Sequence, residues 1–228
     1  MKLYGIGVGP GDPELLTLKA YKVLREADMV VAPRSSKKKE SLAWAVIKEI
    51  IEERRIKPIV IQPIFPMTRD KEKLENYWRE AAAQVLEKGE KCKAIAFITL
   101  GDPSLYSTFY KFLDVIQRMT EKIEIEVVPG ITSFSACSAL AKIPIAEGGE
   151  TAAIIPRAEN TVSNFDTFIF MKPTDIQQIK NLFKEETPRG ILGVRIGMGG
   201  QLIISGDLDE IPEPEDYFSI LIVRRKRN

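Results

Sequence analysis

Histidine is absent from this 228-residue chain, and cysteine occurs twice, as Cys92 and Cys137. Without imidazole there is no Ser-His or Cys-His pair, no histidine general base and no zinc site of the usual kinds. Two thiols make no disulfide framework, and a chain of this length needs none, because it can bury roughly 70 to 75% of its unfolded surface. An excess of one charge is missing too. Lys and Arg number 33 against 32 Asp and Glu, a formal +1, whereas a dedicated nucleic-acid binder carries a strong basic excess. Two local exceptions are Arg34 with Lys37, Lys38 and Lys39, and Arg224, Arg225, Lys226 and Arg227. Each reads as a solvated segment or as a place to meet an anionic ligand. No apolar run approaches the roughly 18 residues of a membrane span, and the first residues lead into a strand-like pattern rather than a signal peptide. A reducing, cytoplasmic setting with no membrane and no nucleic-acid partner is therefore expected.

What the sequence does have is apolar runs alternating with turn residues. Lys2 to Val8 reads as a strand, Gly9-Pro10-Gly11-Asp12-Pro13 as a turn, and Leu15 to Leu24 as a helix. Further strands are expected at Met29 to Ala32, Ile59 to Ile61 and Ala94 to Leu100. Helices are expected around Leu42 to Ile50 and Leu74 to Leu86, the latter stopped by a left-handed Gly89, and from Leu105 through Ile116. This alternation predicts an α/β layer with a mostly parallel sheet. The polar break Thr120-Glu121-Lys122 places a boundary between an N-terminal α/β domain, 1–119, and a C-terminal α/β domain, 120–228. In the second, a helix is expected at Ser133 to Ala141 and another at Asp175 to Phe183. Strands are expected at Ile123 to Val128, Thr151 to Ile155, Thr167 to Met171, Ile191 to Ile196, Leu202 to Ile204 and Tyr217 to Val223. Two such domains would meet at a cleft.

The glycine-rich opening invites a nucleotide-binding reading, which the spacing rejects. The dinucleotide fingerprint needs glycine at position 10 or a small residue at 12, where Pro10 and Asp12 stand, and no Gly-Lys pair exists to end an NTPase phosphate loop. By itself the stretch is as well explained by a strand of small residues under a closely packed helix. Leu100-Gly101-Asp102-Pro103 follows a buried-looking strand, with glycine admitting a ligand to the backbone, Asp102 as a cap and Pro103 suited to a first helical position. Pro129-Gly130-Ile131-Thr132-Ser133 forms a third such turn, Thr132 or Ser133 serving as N-cap. Three turns of this kind at sheet ends favour a bound ligand.

These motifs together carry a resemblance. Leu3-Tyr4-Gly5-Ile6-Gly7-Val8-Gly9-Pro10-Gly11-Asp12-Pro13-Glu14-Leu15-Leu16-Thr17, the Gly101-Asp102-Pro103 turn and Val128-Pro129-Gly130-Ile131-Thr132-Ser133 resemble the three signature loops of the tetrapyrrole methyltransferases of the cobalamin pathway, and the likeness runs over essentially the whole chain. Phe65-Pro66-Met67-Thr68-Arg69-Asp70 and Leu100 to Thr108 are similar to the branch that methylates carbon 20 of precorrin-2 or cobalt-factor II.

The resemblance implies a two-domain α/β fold of the tetrapyrrole methylase type, with S-adenosyl-L-methionine as methyl donor in the interdomain cleft. The positions it marks for the donor are Pro10, Leu100, Gly101, Asp102 and Leu105, then Thr132, Ser133, Met171 and Gly197. It implies a polycarboxylate tetrapyrrole substrate, for which Arg34, Arg69, Tyr106, Arg157 and Lys172 are the candidate contacts, and a homodimer. The chain departs from the pattern at Pro173 after Lys172, and at Gly199-Gly200-Gln201, which lacks a nearby acid. No catalytic residue is assigned; Glu147 and Tyr106 are proton acceptors to consider, beside solvent and the substrate's own carboxylates. No protein-bound metal is expected, so cobalt would enter with the substrate. The Lys, Glu and Ile content suggests heat adaptation, which favours cobalt-factor II over precorrin-2. Methylation of another tetrapyrrole carbon or of diphthamide, and a metabolite-binding module without turnover, are the competing readings.

Overall fold

Five strands, each three to six residues long, build the first sheet: β1 (Lys2–Gly7), β2 (Met29–Val31), β3 (Ile59–Ile61), β4 (Ala94–Thr99) and β5 (Glu124–Val128). They lie in the order β3-β2-β4-β1-β5, with every neighbouring pair parallel. Parallel strands need crossovers, supplied here by α1 (Leu18–Glu26), α2 (Leu42–Glu52), α3 (Lys71–Lys88) and α4 (Phe109–Met119). Side chains start three of them: Thr17, Ser41 and Asp70 accept hydrogen bonds from the main-chain N–H of Ala20, Trp44 and Lys73, satisfying donors that the first helical turn leaves open.

Alternation along each strand divides the core into two layers. On β4, Ile95 and Phe97 join Leu3, Met29 and Val31 against Ala82 and Val85 of α3 and Phe112 of α4. Ala96 and Ile98 join Ile6 and Val30 against Leu24 of α1 and Ile47 of α2. Both faces are covered, which is why these strands read as continuous apolar runs. Phe97 stacks on Phe112 with ring centroids 4.8 Å apart. A side chain at Gly5 would fall inside the Phe109 ring. One glycine of the opening stretch therefore serves close helix packing rather than a ligand.

In this computed structural model residues 1–156, 164–173 and 175–226 are described, and the chain divides into two units, Met1–Ile131 and Thr132–Asn228. The boundary falls later than the expected 119/120 because β5 pairs in parallel with β1, Ile6 opposite Val128, and so completes the first sheet instead of opening the second.

The second unit begins with α5 (Ser133–Ala141) and continues through β6 (Ala152–Ile155), β7 (Thr167–Met171), α6 (Ile176–Leu182), β8 (Arg189–Val194), β9 (Leu202–Asp207) and β10 (Ser219–Arg224). Its sheet runs β6-β7-β10-β8-β9; β6 and β7 are parallel and the other pairs antiparallel. Phe168, Phe170, Leu192, Leu221 and Val223 pack one face onto Ile176, Ile179 and Phe183. Arg224 is held by both Glu147, at 2.8 Å, and Glu150, at 2.7 Å.

Two local expectations change. Gly89 ends α3 with φ −89°, not in the left-handed region; it is small because a β-carbon there would sit 2.5 Å from the Val85 carbonyl oxygen and 2.8 Å from Ile95. Helix α4 starts at Phe109 rather than Leu105, so Pro103 occupies no first helical position. Ser107 ties down this intervening turn, donating to Thr99 Oγ1 at 3.1 Å and accepting the Phe109 N–H at 3.1 Å.

Candidate functional site

After β1 the chain crosses to β2 on one side, and after β4 it crosses to β5 on the other, although β1 and β4 are neighbours. At such a reversal the two connections diverge and leave a crevice beyond the carboxyl ends of the strands, the usual ligand position in open α/β sheets. The residues here are Gly9-Pro10 after β1 and Leu100-Gly101-Asp102 after β4. Gly101 N–H donates to the Gly9 carbonyl at 2.7 Å and Gly9 N–H to the Gly101 carbonyl at 3.3 Å, clasping the turns together. Both glycines have positive φ, 77° and 71°.

Gly130, after β5, closes the group. A β-carbon on Gly130 would overlap the Gly101 carbonyl oxygen, and one on Gly7 would lie 2.5 Å from that oxygen and 2.6 Å from Gly130 N. Gly101 is different: a β-carbon there meets nothing within 4 Å. Three turns are thus packed backbone on backbone, with open space on one side of Gly101.

Asp102 locks the arrangement. Its Oδ2 accepts the Gly130 N–H at 2.8 Å, while Oδ1 accepts the Ser104 N–H at 2.7 Å and the Ser104 hydroxyl. It is therefore a clasp between the β4 and β5 turns and not the cap of α4. Partial burial works to raise its carboxyl pKa, but the hydrogen bonds from Ser104 and Gly130 outweigh it and hold the group below the ordinary aspartate value. With a depressed folded pKa, the contribution of Asp102 to stability is complete above the ordinary value of about 3.9 and is lost as pH falls through the folded one. Asp102→Ala is expected to cost about 1–3 kcal/mol of stability at neutral pH, and its unfolding free energy should fall less steeply than that of the unaltered chain below about pH 4. Urea melts across that range test this; parallel curves would refute the clasp.

The other residues marked in this unit fall at the same edge or near it. Leu100 packs on the α1/α2 layer. Leu105 and Tyr106 stand in the turn before α4, Tyr106 with φ 49° and 59% exposed. Arg34 follows β2, its N–H donating to the Pro63 carbonyl at 2.9 Å, and Arg69 is exposed just before the Asp70 cap of α3.

In the second unit Thr132 caps α5, its hydroxyl accepting the Ser135 N–H, and Ser133 is the first helical residue. Met171 ends β7. Lys172 beyond it has φ 57°, donates its N–H to the Ser219 carbonyl at 3.0 Å and sets its ammonium 2.7 Å from the Tyr217 hydroxyl and 4.6 Å over that ring. Beyond β8, Arg195 has φ 50° and pairs with Asp216 at 3.1 Å; Gly197 has φ 74° and gives its N–H to Gln201 Oε1 at 2.8 Å. Gln201 thus supplies an acceptor in the segment where the sequence lacks an acid. Tyr217 and Asp216 escaped sequence reasoning, since no local pattern links them to Lys172 and Arg195, which strand pairing alone brings near. Arg157 and Arg227 lie outside the described residues. Glu147, weighed as a proton acceptor, is the Arg224 partner noted above.

Neither thiol offers nucleophilic chemistry. Burial pushes Cys137 up to about 11 and also raises Cys92. Among the described residues no cluster of three or more Cys, Asp or Glu side chains is placed to hold a metal ion, and no helix is long and apolar enough to cross a membrane.

The chain thus joins a parallel α/β sheet, whose strand order reverses at the clasped glycine turns, to a mixed-sheet unit. Residues 2–212 match the model of the Tetrapyrrole (Corrin/Porphyrin) Methylases; the chain belongs to this family. It is 38% identical to the "Probable cobalt-precorrin-2 C(20)-methyltransferase" of Methanocaldococcus jannaschii, covering 98% of this chain and 96% of the relative. It is 32% identical to the cobalt-precorrin-2 C(20)-methyltransferase of Salmonella typhimurium, covering 99% and 97%. The fold is also that of a Thermus thermophilus uroporphyrin-III C-methyl transferase complexed with S-adenyl homocysteine, at TM-score 0.66 and 19% identity over 98% of this chain and 97% of that one.

Proposed function

We propose that this chain transfers a methyl group from S-adenosyl-L-methionine to carbon 20 of a cobalt-containing tetrapyrrole in cobalamin biosynthesis. The observation that carries the reading is the clasped turn group at the carboxyl edge of the first sheet, in a chain whose full-length relatives are named for that reaction. The residues fit the donor: Gly101 leaves open space beside a half-buried stretch of backbone, and only a residue without a side chain leaves it so. We assign Pro10, Leu100, Gly101, Asp102 and Leu105 to the donor in the first unit and Thr132, Ser133, Met171 and Gly197 in the second. Arg34, Arg69, Tyr106 and Lys172 serve the substrate.

The donor supplies an already activated sulfonium methyl. What remains for the protein is alignment, and well-oriented reactants gain roughly 7–11 kcal/mol of effective concentration. The Gly9–Gly101 bridge and the Asp102 clasp serve that alignment by fixing the turns before ligand arrives. Lys172 and Arg34 supply positive charge for substrate carboxylates. The ring carbon is the nucleophile, and its proton leaves afterwards to solvent or to a substrate carboxylate.

Isothermal titration is expected to show S-adenosylhomocysteine binding, and no heat at millimolar ligand would refute the donor site. Anaerobic assays should then be run with cobalt-factor II, the cobalt substrate the sequence favours, with cobalt-precorrin-2, for which the relatives are named, and with metal-free precorrin-2. Product NMR should place the new methyl at carbon 20 of a cobalt-containing ring and survive chelators. Methylation elsewhere, or much faster turnover of precorrin-2, overturns the assignment. We further propose a cytoplasmic homodimer; light scattering at the 25.6 kDa chain mass, rather than twice it, would refute the dimer.

A further inference from the structure

The loops that follow β2 and β3 stand against α3 and leave a cavity of about 410 Å³, lined by Arg34, Lys37, Gln62, Tyr77, Glu80 and Gln84 among others. It lies in the first unit, apart from the clasped glycine turns, and its lining is polar. Two cations and one acid face it, a formal surplus of one positive charge. Among the described residues none of these three forms an ion pair.

Arg34 is the fixed point. Its main chain bridges Ile64 in parallel, the N–H donating to the Pro63 carbonyl at 2.9 Å and the carbonyl accepting the Phe65 N–H at 2.8 Å. The backbone from which the guanidinium extends is therefore tied into the β3 loop. Yet its Nε is buried with no hydrogen-bond partner among the described residues, and Nη1 reaches the Lys37 carbonyl only at 3.5 Å. Chains rarely keep a buried guanidinium donor unsatisfied, because it has lost its water and gained nothing for it. An acceptor that arrives with a ligand resolves this. A carboxylate matches it best: it accepts two parallel N–H bonds from a guanidinium and neutralises the single surplus charge. Gln62, Gln84 and Tyr77 add neutral donors around it.

We propose that this cavity is the subsite for one carboxylate arm of the tetrapyrrole, and that Arg34 with Lys37 selects for that arm. The inference rests on the substrate class proposed above and adds where one of its acid groups is read. The arm does not react, so its recognition should appear first in substrate affinity.

The test titrates cobalt-factor II, followed by its visible absorbance, and S-adenosylhomocysteine, followed by calorimetry, into the full chain and two variants. Arg34→Gln is expected to weaken cobalt-factor II by about 10- to 100-fold, the range for losing a charged hydrogen-bond partner. S-adenosylhomocysteine affinity should move less than about threefold. Gln84→Glu, which keeps the helix and adds a negative charge to the lining, should weaken cobalt-factor II in the same direction. It decides the matter if Arg34→Gln fails to fold. Unchanged cobalt-factor II affinity in the folded variants overturns the subsite while leaving the proposed reaction standing. If the unaltered chain binds no tetrapyrrole at all, the proposed function fails and the subsite with it. Inorganic phosphate or glutarate that binds the unaltered chain but not Arg34→Gln, with tetrapyrrole binding unaffected, would make this a free-anion site and overturn the assignment to a substrate arm.

Discussion

Titration of Gly101→Val with S-adenosylhomocysteine is expected to give no detectable binding at concentrations that saturate the unaltered chain. Two effects act together. Gly101 has φ 71°, a conformation that costs a residue with a β-carbon about 1–2 kcal/mol and a β-branched one more. The space beside it is empty of protein, so the new isopropyl group points into the volume assigned to the donor rather than into a neighbour. The fold should survive, with a far-UV spectrum like that of the unaltered chain. Gly101→Ala should bind with intermediate affinity, since it suffers the conformational cost and intrudes less. Near-normal binding by folded Gly101→Val would show that the donor does not lie against this turn.

Gly130→Ala should fail differently. Its φ is not in the left-handed region, but a β-carbon would overlap the Gly101 carbonyl oxygen and sit 2.8 Å from Gly7 backbone atoms. Backbone cannot swing aside as a flexible side chain does. The expected loss is therefore at the upper end of overpacking effects, about 3 kcal/mol, or a fall in melting temperature of roughly 6–12 °C for a chain of this size. Gly149→Ala is the control, as nothing stands within 4 Å of its added carbon and its φ is ordinary. Calorimetric melts that place Gly130→Ala with Gly149→Ala would show that the three turns are not packed as described.

These glycines also show where sequence reasoning stops. Gly5, Gly7, Gly9, Gly101 and Gly130 look alike in the one-dimensional pattern, yet Gly5 makes room for the Phe109 ring, Gly7 and Gly130 for neighbouring backbone, and Gly9 and Gly101 for positive φ. The reason for each depends on partners many residues away. Elements with strong local signals were legible nearly to the residue: β7 over Thr167–Met171 and α5 over Ser133–Ala141 match their expected spans. The domain boundary was not, because the polar stretch before β5 looks like a linker and parallel pairing with β1 leaves no local mark. Asp102 was identified as a site residue but given a helix cap's task, since its partner Gly130 lies on another turn. The donor set was named from motif resemblance, and its residues in the first unit gather at one sheet edge; the basic residues were named from loop position alone, and Arg157 lies outside the described residues.

The position of β10 bears on how the protein is made. It is the last strand of the second sheet in sequence but lies in its middle, between β7 and β8. During synthesis β7 and β8 emerge with no strand between them, and the residues from Val194 to Ser219 must follow before the gap can close. At about 5–20 residues per second that interval lasts on the order of a few seconds. Through it, two apolar strands carry unpaired edges of the kind that recruit other chains. The first unit, whose five strands have all been translated by then, can already be folded. Yield on rapid overexpression should therefore be limited by the second unit, where slower translation or a holdase chaperone gives β10 time to insert.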